Sequence, residues 1–119
     1  RRHGVEVTLT LSGDERLSPE AEFALYRVAQ EALNNVAKHA KAQHVRVKLD
    51  LRPEEALLEI CDDGVGFDPD AGARGESFGM IGMRERVNEV RGSLEVISAP
   101  GQGTCIRARI PTASGGDPR

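Results

Sequence analysis

Three polar residues of different chemistry recur at helical spacing in the first third of the chain. Glu31, Asn35 and Lys38 are separated by four and three residues, so on a helix an acid, an amide and a base lie along one flank. Apolar residues such as Val28 and Ala32 fall on an adjacent arc that would face a core. These three polar side chains either contact a ligand or form a solvent-exposed row along the helix, and the helix alone leaves both interpretations open.

A carboxylate ends the third predicted strand. Leu58, Ile60 and Asp62 share one parity, so Asp62 points to the core face at the strand end. A carboxylate there is unfavourable unless it accepts hydrogen bonds. Gly64 and Gly66 permit a sharp turn and a close approach of a ligand to the backbone. The alternative interpretation is an ordinary Asp-Gly turn after a strand.

Two further glycine groups could contact a ligand through the backbone. Gly79 and Gly82 stand at the start of a predicted short helix, where unpaired N–H groups suit phosphate. Gly101 and Gly103 precede Thr104, which has the inward parity of the last strand; a glycine-rich hairpin is the alternative. The chain has neither a P-loop nor a Gly-x-Gly-x-x-Gly after its first strand, so a nucleotide would bind by neither route.

Five strands and two helices are predicted to position these groups. Alternating apolar residues over 5–11 predict a half-buried first strand. Ser18 and Pro19 begin a helix that should run to about Ala40. The other predicted elements are strands at 45–51, 56–62, 94–98 and 104–110 and a second helix over about 80–90, which Gly92 can end. This order predicts an α+β fold, a two-layer α/β sandwich with both helices on one face of the sheet.

Length and composition limit the class of protein. The chain has 119 residues, 39% of them apolar, and a net charge of −3, which fits one globular domain and gives no sign of a nucleic-acid partner. No apolar run approaches the ~20 residues that span a bilayer, and no signal peptide is visible. Cys61 and Cys105 are expected to be reduced thiols in a cytoplasmic domain, not a disulfide or a metal site.

Taken together, these motifs resemble the ATP-binding superfamily of gyrase, the 90-kDa heat-shock chaperones, mismatch-repair proteins and histidine kinases. The closest resemblance is to the catalytic domain of sensor histidine kinases of the nitrate-sensor and desaturase-sensor type. Residues 26–40 resemble their N box, 62–67 the G1 box, 78–86 the G2 region and 101–104 the last glycine box. The resemblance covers about residues 4–111 and implies the Bergerat fold, with a mixed five-stranded sheet. We therefore expect an ATP-binding catalytic domain at 1–111 and a disordered tail at 112–119.

The resemblance also implies a role for each matching residue. Glu31 would orient the attacking nucleophile, Asn35 would hold the Mg2+ that bridges the ATP phosphates, and Lys38 would approach those phosphates. Asp62 would accept a hydrogen bond from the adenine amino group, with Thr104 assisting. The implied nucleotide-binding set also contains His39, Gly64, Gly66, Phe67, Gly79, Met80, Gly82, Gly101 and Gly103.

Three details accompany these roles. His39 falls on the apolar arc of its helix, which favours a packed histidine over a chemical group. Asp63 stands where many of these kinases have Asn and would add a negative charge near the nucleotide. Residues 68–78 would be the ATP lid, and their composition predicts a mobile segment.

The resemblance implies that the domain binds Mg-ATP and supplies the γ-phosphoryl group to a histidine on a separate dimerisation segment, in two-component signal transduction. The implied partners are that segment, in a homodimer of the parent kinase, and a response regulator. No phosphoacceptor helix precedes the first strand, so we expect a fragment or a standalone subunit that is monomeric, does not phosphorylate itself, and is cytoplasmic or the cytoplasmic part of a membrane-bound sensor. Two alternatives stay open: an ATP-dependent conformational switch, and a serine kinase of the anti-sigma-factor type.

Overall fold

The structure, a computed structural model, describes residues 5–66 and 78–112. Its elements are β1 (Glu6–Gly13), α1 (Pro19–Asn35), a π-helical turn (Val36–Ala40), β2 (His44–Leu51), β3 (Glu55–Asp62), α2 (Phe78–Glu89), β4 (Ser93–Ser98) and β5 (Thr104–Pro111). Phe67 and nearly all of the predicted lid lie outside the described residues.

The five strands form one mixed sheet in the order β1-β2-β3-β5-β4. β1 runs parallel to β2, and the other neighbouring strands are antiparallel. α1 packs on β3 and β5, α2 packs on β4 and β5, and the two helices pack on each other. The predicted two-layer α+β sandwich is confirmed.

The hydrophobic core lies between the two helices and one face of the sheet. The strands contribute the residues of one parity, because side chains alternate between the two faces of a sheet. Met83, Val87, Val28 and Ile110 are among the most completely buried side chains. The remaining members include Ala21, Leu25, Ala32, Val45, Leu58, Ile60, Met80, Ile106 and Ala108.

α1 begins as predicted but ends differently. The hydroxyl of Ser18 accepts a hydrogen bond from the N–H of Ala21 at 3.1 Å, and Pro19 is the first helical residue. The regular α-helix stops at Asn35, and the following turn is π-helical up to Ala40. π-helical turns occur often at functional sites. The turn widens the helix between Asn35 and Lys38, so these two residues are not related by regular α-helical spacing.

The first strand is far more exposed than its alternation predicts. Val7, Leu9 and Leu11 are 56%, 71% and 64% exposed, so the prediction of a half-buried strand is wrong. β1 is an edge strand beside β2, and the helices pack over β3, β5 and β4, so the helix-facing side of β1 is left uncovered. The face of β1 instead borders an open apolar groove of about 550 Å3, whose walls include Leu9, Leu11, Leu17, Tyr26 and Leu49.

The end of α2 also differs from expectation. Arg91, not Gly92, adopts the left-handed conformation, with a φ of 63°. The N–H of Gly92 donates to the carbonyl of Val87 at 2.9 Å. A Cβ at Gly92 would lie 2.3 Å from the carbonyl oxygen of Arg109, closer than atoms can pack. Gly92 is therefore needed for the close approach of α2 to β5.

The two cysteines are joined by a disulfide, which corrects the expectation of reduced thiols. Cys61 and Cys105 are 44 residues apart in sequence, with Cα atoms 4.0 Å apart. They are direct register partners on β3 and β5. The sequence alone could not show this, because the pairing depends on the register of two strands that are distant along the chain.

The folded domain extends slightly beyond its predicted boundary. β5 reaches Pro111, and Thr112 is 2% exposed. The Thr112 hydroxyl donates to the carbonyl of Pro53 at 2.6 Å. Residue 112, assigned to a disordered tail by sequence, is thus packed, while 113–119 lie outside the described residues. Among the described helices, none is both long and apolar enough to cross a membrane.

Candidate functional site

The structure brings Asp62 and Thr104 together at one edge of the sheet. They are direct register partners at the end of β3 and the start of β5. Both have the parity of the core-facing residues, as the sequence predicts. Two oxygen-bearing side chains therefore lie side by side on the helix-facing surface of the sheet.

Asp62 is held in an environment that disfavours its charge. Partial burial raises the pKa of Asp62 above its ordinary value, and the nearby charge of Asp63 adds to this rise. Hydrogen bonds from the N–H groups of Gly64 and Thr104 act in the opposite direction. The Gly64 bond to Oδ1 is 2.8 Å long. A partly buried carboxylate with a raised pKa is a candidate for ligand recognition.

Ser98 orients Thr104 and was missed by the sequence analysis. The Ser98 hydroxyl donates to the carbonyl of Gly103 at 3.0 Å and lies 2.7 Å from the hydroxyl of Thr104. A hydroxyl has one hydrogen to donate, so Thr104 donates to Ser98 and keeps lone pairs that can accept. Ser98 is the β4 register partner of Thr104. Only the strand pairing, absent from the sequence, would have revealed its position.

The G1 loop and the last glycine box contact each other directly. The N–H of Gly101 donates to the carbonyl of Val65 at 2.6 Å. A Cβ at Gly66 would lie 2.1 Å from the carbonyl oxygen of Ala99, and a Cβ at Gly103 would lie 2.1 Å from that of Asp62. Both glycines also have positive φ angles, 66° and 76°. The predicted loops are thus brought together by backbone contacts that only glycine allows.

Asp63 points away from the Asp62–Thr104 pair. Its Oδ1 accepts hydrogen bonds from the N–H groups of Gln43 and His44 at 2.8 and 2.9 Å, and its Oδ2 lies 2.8 Å from Nδ1 of His44. The bonds from the backbone and ring of His44 and the backbone of Gln43 lower the pKa of Asp63 to about 2. The hydrogen bond between His44 and Asp63 is the main cause that raises the pKa of His44. Glu6, whose carboxylate lies 3.2 Å from Nε2 of His44, raises this pKa further. The expected extra charge near a nucleotide is therefore balanced by His44.

Glu31 lines a cleft between the two helices. The cleft has a volume of about 290 Å3, and Gly82 and Arg86 are also in its walls. Space around Gly82 is open, since a Cβ there would meet nothing within 4 Å. The guanidinium of Arg86 lies 5.3 Å from the centre of the Phe23 ring, which ties α2 to α1 beside the cleft. An acid of the N box and a glycine of the G2 region thus share one cavity.

The other residues of the predicted N box lie towards the end of α1. Asn35 is partly buried at its last residue, and Lys38 is exposed in the π-helical turn. His39 belongs to the same turn, but its side chain lies outside the described part of the structure. The segment after this turn is tied to the G1 loop through Asp63, which bonds to Gln43. The end of α1 and the end of β3 therefore meet at the same edge of the domain.

The G2 region begins α2, as predicted. Gly79 is the second residue of the described helix, and the first turn of a helix is where backbone N–H groups can be offered to a ligand. The side chain of Met80 is 5% exposed and packs in the core. Only the backbone of Met80 can therefore face a ligand. Among the residues that the structure describes, no group of three His, Cys, Asp or Glu side chains could hold a metal ion.

Comparison with known proteins shows the family of this domain. Residues 20–114 match the family described as histidine kinase-, DNA gyrase B-, and HSP90-like ATPase. The signal transduction histidine-protein kinase/phosphatase DegS of Brevibacillus brevis is 45% identical over 97 residues, which cover 82% of this chain and 25% of DegS. The oxygen sensor histidine kinase NreB of Staphylococcus carnosus is 34% identical over 112 residues, which cover 93% of this chain and 32% of NreB.

A solved structure supports the same fold. The ATP binding domain of PrrB from Mycobacterium tuberculosis superposes with a TM-score of 0.73 at 19% identity, covering 92% of this chain and 82% of that one. The chain spans about a quarter to a third of the length of the two sensor kinases that it matches. The chain belongs to the histidine kinase-, DNA gyrase B- and HSP90-like ATPase family, as the ATP-binding domain of the sensor histidine kinase type.

Proposed function

We propose that this domain binds Mg-ATP and delivers the γ-phosphoryl group to a histidine on the dimerisation segment of a sensor kinase, which then passes it to a response regulator in the cytoplasm. The observation that carries the proposal is the Asp62–Thr104 pair at the junction of the two glycine loops. Its two side-chain oxygens offer the base a specific contact.

The pair matches the amino group of adenine. That group has two N–H donors, and ionised Asp62 can only accept. Thr104 also accepts, because its own hydrogen is directed to Ser98. Guanine has a carbonyl oxygen in place of the amino group, and this oxygen would face two acceptors. The geometry therefore favours adenine over guanine.

The phosphates would lie between the end of α1 and the start of α2. Asn35 supplies an amide oxygen of the kind that Mg2+ accepts, and one protein ligand suffices when phosphates and waters complete the octahedron. Lys38 adds a positive charge. The N–H groups of Gly79 and Met80 at the start of α2 and the open space at Gly82 suit a phosphate chain. These residues fit a magnesium nucleotide, and Mg2+ would supply charge neutralisation of the phosphates.

Glu31 is the residue proposed to orient the attacking imidazole. Its partly buried carboxylate lies in the cleft between the helices, open to a side chain from another segment. A positioned carboxylate of this kind contributes about 10²- to 10⁴-fold to a rate. Glu31→Gln should therefore keep nucleotide affinity and lose at least about 100-fold in phosphotransfer. Glu89→Gln is the matched control, because Glu89 lines the same cleft and is exposed.

The test is phosphotransfer to a separate acceptor. The chain is incubated with γ-labelled ATP and Mg2+, with and without the dimerisation segment of the parent kinase. We expect acid-labile label on that segment and none on the chain; His44, for example, is bound to Asp63 and Glu6. Stable label on a histidine of the chain itself, or full activity of Glu31→Gln, would contradict the proposal.

A further inference from the structure

The disulfide lies on the face of the sheet opposite the helices. Cys61 and Cys105 have the parity opposite to that of the core residues, and both are partly exposed. Small thiols in solution can therefore reach this pair. The chain has two cysteines in all, so thiol chemistry on this protein reports on this pair alone.

The disulfide is adjacent to the nucleotide site through the sheet. The next register pair is Asp62 and Thr104, which faces the helices. Immediately beyond them, the carbonyl of Val65 accepts a hydrogen bond from Gly101. A covalent link at Cys61–Cys105 thus fixes the separation of β3 and β5 one residue before the two adenine-facing side chains.

The two cysteines have different neighbours on the outer face. The register partner of Cys61 on β2 is Arg46, and the partner of Cys105 on β4 is Ile97, which is 45% exposed. Side chains directly opposite on neighbouring strands are in contact range. A cation stabilises a thiolate, and the thiolate is the attacking species in disulfide exchange. Arg46 can therefore assist attack by the Cys61 thiolate.

The strands stay paired when the disulfide is open. Two residues along, Glu59 and Arg107 are register partners, and Nε of Arg107 lies 2.7 Å from the Glu59 carboxylate. This ion pair keeps β3 and β5 in register on the same face of the sheet. Reduced Cys61 and Cys105 therefore stay side by side and can be oxidised again.

We propose that Cys61 and Cys105 form a reversible thiol–disulfide site that adjusts nucleotide affinity; the nucleotide as ligand rests on the proposed function. The oxidant is a small-molecule disulfide such as glutathione disulfide. The Cys61 thiolate attacks one of its sulfurs and releases one glutathione thiolate. The Cys105 thiolate then attacks Cys61 of the mixed disulfide and releases the second. Two cysteine thiols are oxidised, one glutathione disulfide is reduced to two thiols, and the two cysteine protons pass to the two glutathiones.

The oxidised form is the form with the tighter nucleotide site. The disulfide holds the Asp62–Thr104 pair and the joined loops in the binding arrangement, so less ordering remains to be done when the base binds. Ordering one or two side chains corresponds to about a two- to tenfold change in affinity. Reduction should weaken Mg-ATP binding by that factor without unfolding the domain.

The experiment compares both redox forms of the chain. The chain is equilibrated in glutathione buffers of graded ratio, thiols are counted by alkylation and mass spectrometry, and Mg-ATP affinity is measured by calorimetry on each form. Amide exchange is followed over 62–66 and 101–104 without nucleotide. The control is the double variant Cys61→Ser, Cys105→Ser, which should bind like the reduced form in every buffer. Cys105→Ser alone should accumulate a mixed disulfide on Cys61.

As the buffer becomes oxidising, we expect the number of free thiols to fall by two. The oxidised form should bind Mg-ATP about two- to tenfold more tightly and show slower amide exchange in both loops. Equal affinity and equal exchange in the two forms would overturn the inference, as would failure of the thiols to pair. If neither form binds Mg-ATP, the proposed function is contradicted. The amide exchange rates over 62–66 and 101–104 in the two redox forms then still show whether the disulfide orders these loops.

Discussion

Two neighbouring carboxylates at the end of β3 have opposite electrostatic environments. Burial raises the pKa of Asp62, whereas hydrogen bonds from His44 and Gln43 lower the pKa of Asp63. Asp63 is a structural residue that joins β3 to the start of β2, and Asp62 is the carboxylate that we propose contacts adenine. The sequence identified Asp62 by its parity. It could not separate the roles of the two acids, because the partner of Asp63 comes from a different strand.

The two acids should respond oppositely to removal of charge. The pKa of Asp62 is raised in the folded protein. Its stabilising contribution is therefore present below its ordinary pKa and is lost as pH rises through the folded-state pKa. At neutral pH the charge of Asp62 opposes folding. Asp62→Asn should raise the unfolding temperature of the empty protein and weaken ATP binding. Asp63→Asn should lower the unfolding temperature, because a carboxyl with a lowered pKa stabilises the fold above pH 3.8 and loses that effect as pH falls towards 2. Thermal unfolding at pH 7 checks both; changes of the same sign would contradict this assignment.

The amide of Asn35 is predicted to act through the metal. Asn35→Ala should weaken binding of Mg-ATP by about tenfold or more and change binding of metal-free ATP much less, since one oxygen ligand of Mg2+ is removed. Asn34→Ala provides the matched control, because Asn34 is the exposed neighbour on the same helix. Calorimetry with and without Mg2+ gives the comparison. An Asn35→Ala chain that binds Mg-ATP as the parent does would leave Asn35 as a polar residue of the helix flank only.

At the scale of elements, three strands are joined by one histidine. His44 on β2 contacts Asp63 after β3 and Glu6 on the edge strand β1. The protonated ring is favoured because Asp63 and Glu6 raise the pKa of His44 above 6.5. The bridge is exposed, so salt screens it and its contribution is modest.

This bridge predicts a pH dependence of stability. The contribution of a group with a raised folded-state pKa is fully present below its unfolded value, here 6.5, and is lost as pH rises through the folded value. The unfolding temperature should therefore fall as pH rises above 6.5 in the parent chain. His44→Gln should remove this fall. A parallel decline in both proteins over that pH range would assign it to other groups.

The helix α2 offers a separate test of the phosphate contacts. Gly82 lies inside the helix with open space around it, so Gly82→Ala should stabilise the empty protein by about 1 kcal/mol through helix propensity alone. If the bare backbone at Gly82 approaches phosphate, the same change should weaken ATP binding. Gly92→Ala is the contrasting variant and should destabilise, because its Cβ would overlap the carbonyl of Arg109. Unchanged ATP affinity in Gly82→Ala would exclude Gly82 from the site.

At the scale of the whole molecule, the sequence predicts the elements and their layers well and their exposure less well. The period-two strands and the capped helix are local patterns, and the two-layer fold follows from them. Burial of β1 could not be predicted, because alternation shows which residues share a face but not whether a helix covers that face. The Cys61–Cys105 disulfide, the position of Ser98 and the His44 bridge depend on strand register, which is set by the tertiary fold.

The position of the site is likewise a property of the complete fold. Asp62, Gly82 and Gly101 come from three distant parts of the chain, and each motif has an ordinary structural explanation when taken alone. Their order and spacing indicated the family, and the sheet register explains how the G1 loop and the last glycine box meet at the edge that holds Asp62. The central claim is that this edge recognises adenine.

Calorimetric titration of the chain with Mg-ATP and Mg-GTP tests that claim most directly. Asp62 and Thr104 both present acceptors, so we predict saturable binding of ATP and about 5- to 150-fold weaker binding of GTP, since a mismatched buried hydrogen bond costs about 1–3 kcal/mol. In Asp62→Asn the preference should shrink, because the amide can rotate to offer a donor to guanine. Equal affinity for the two nucleotides in the parent chain, or no binding of either, would contradict the account.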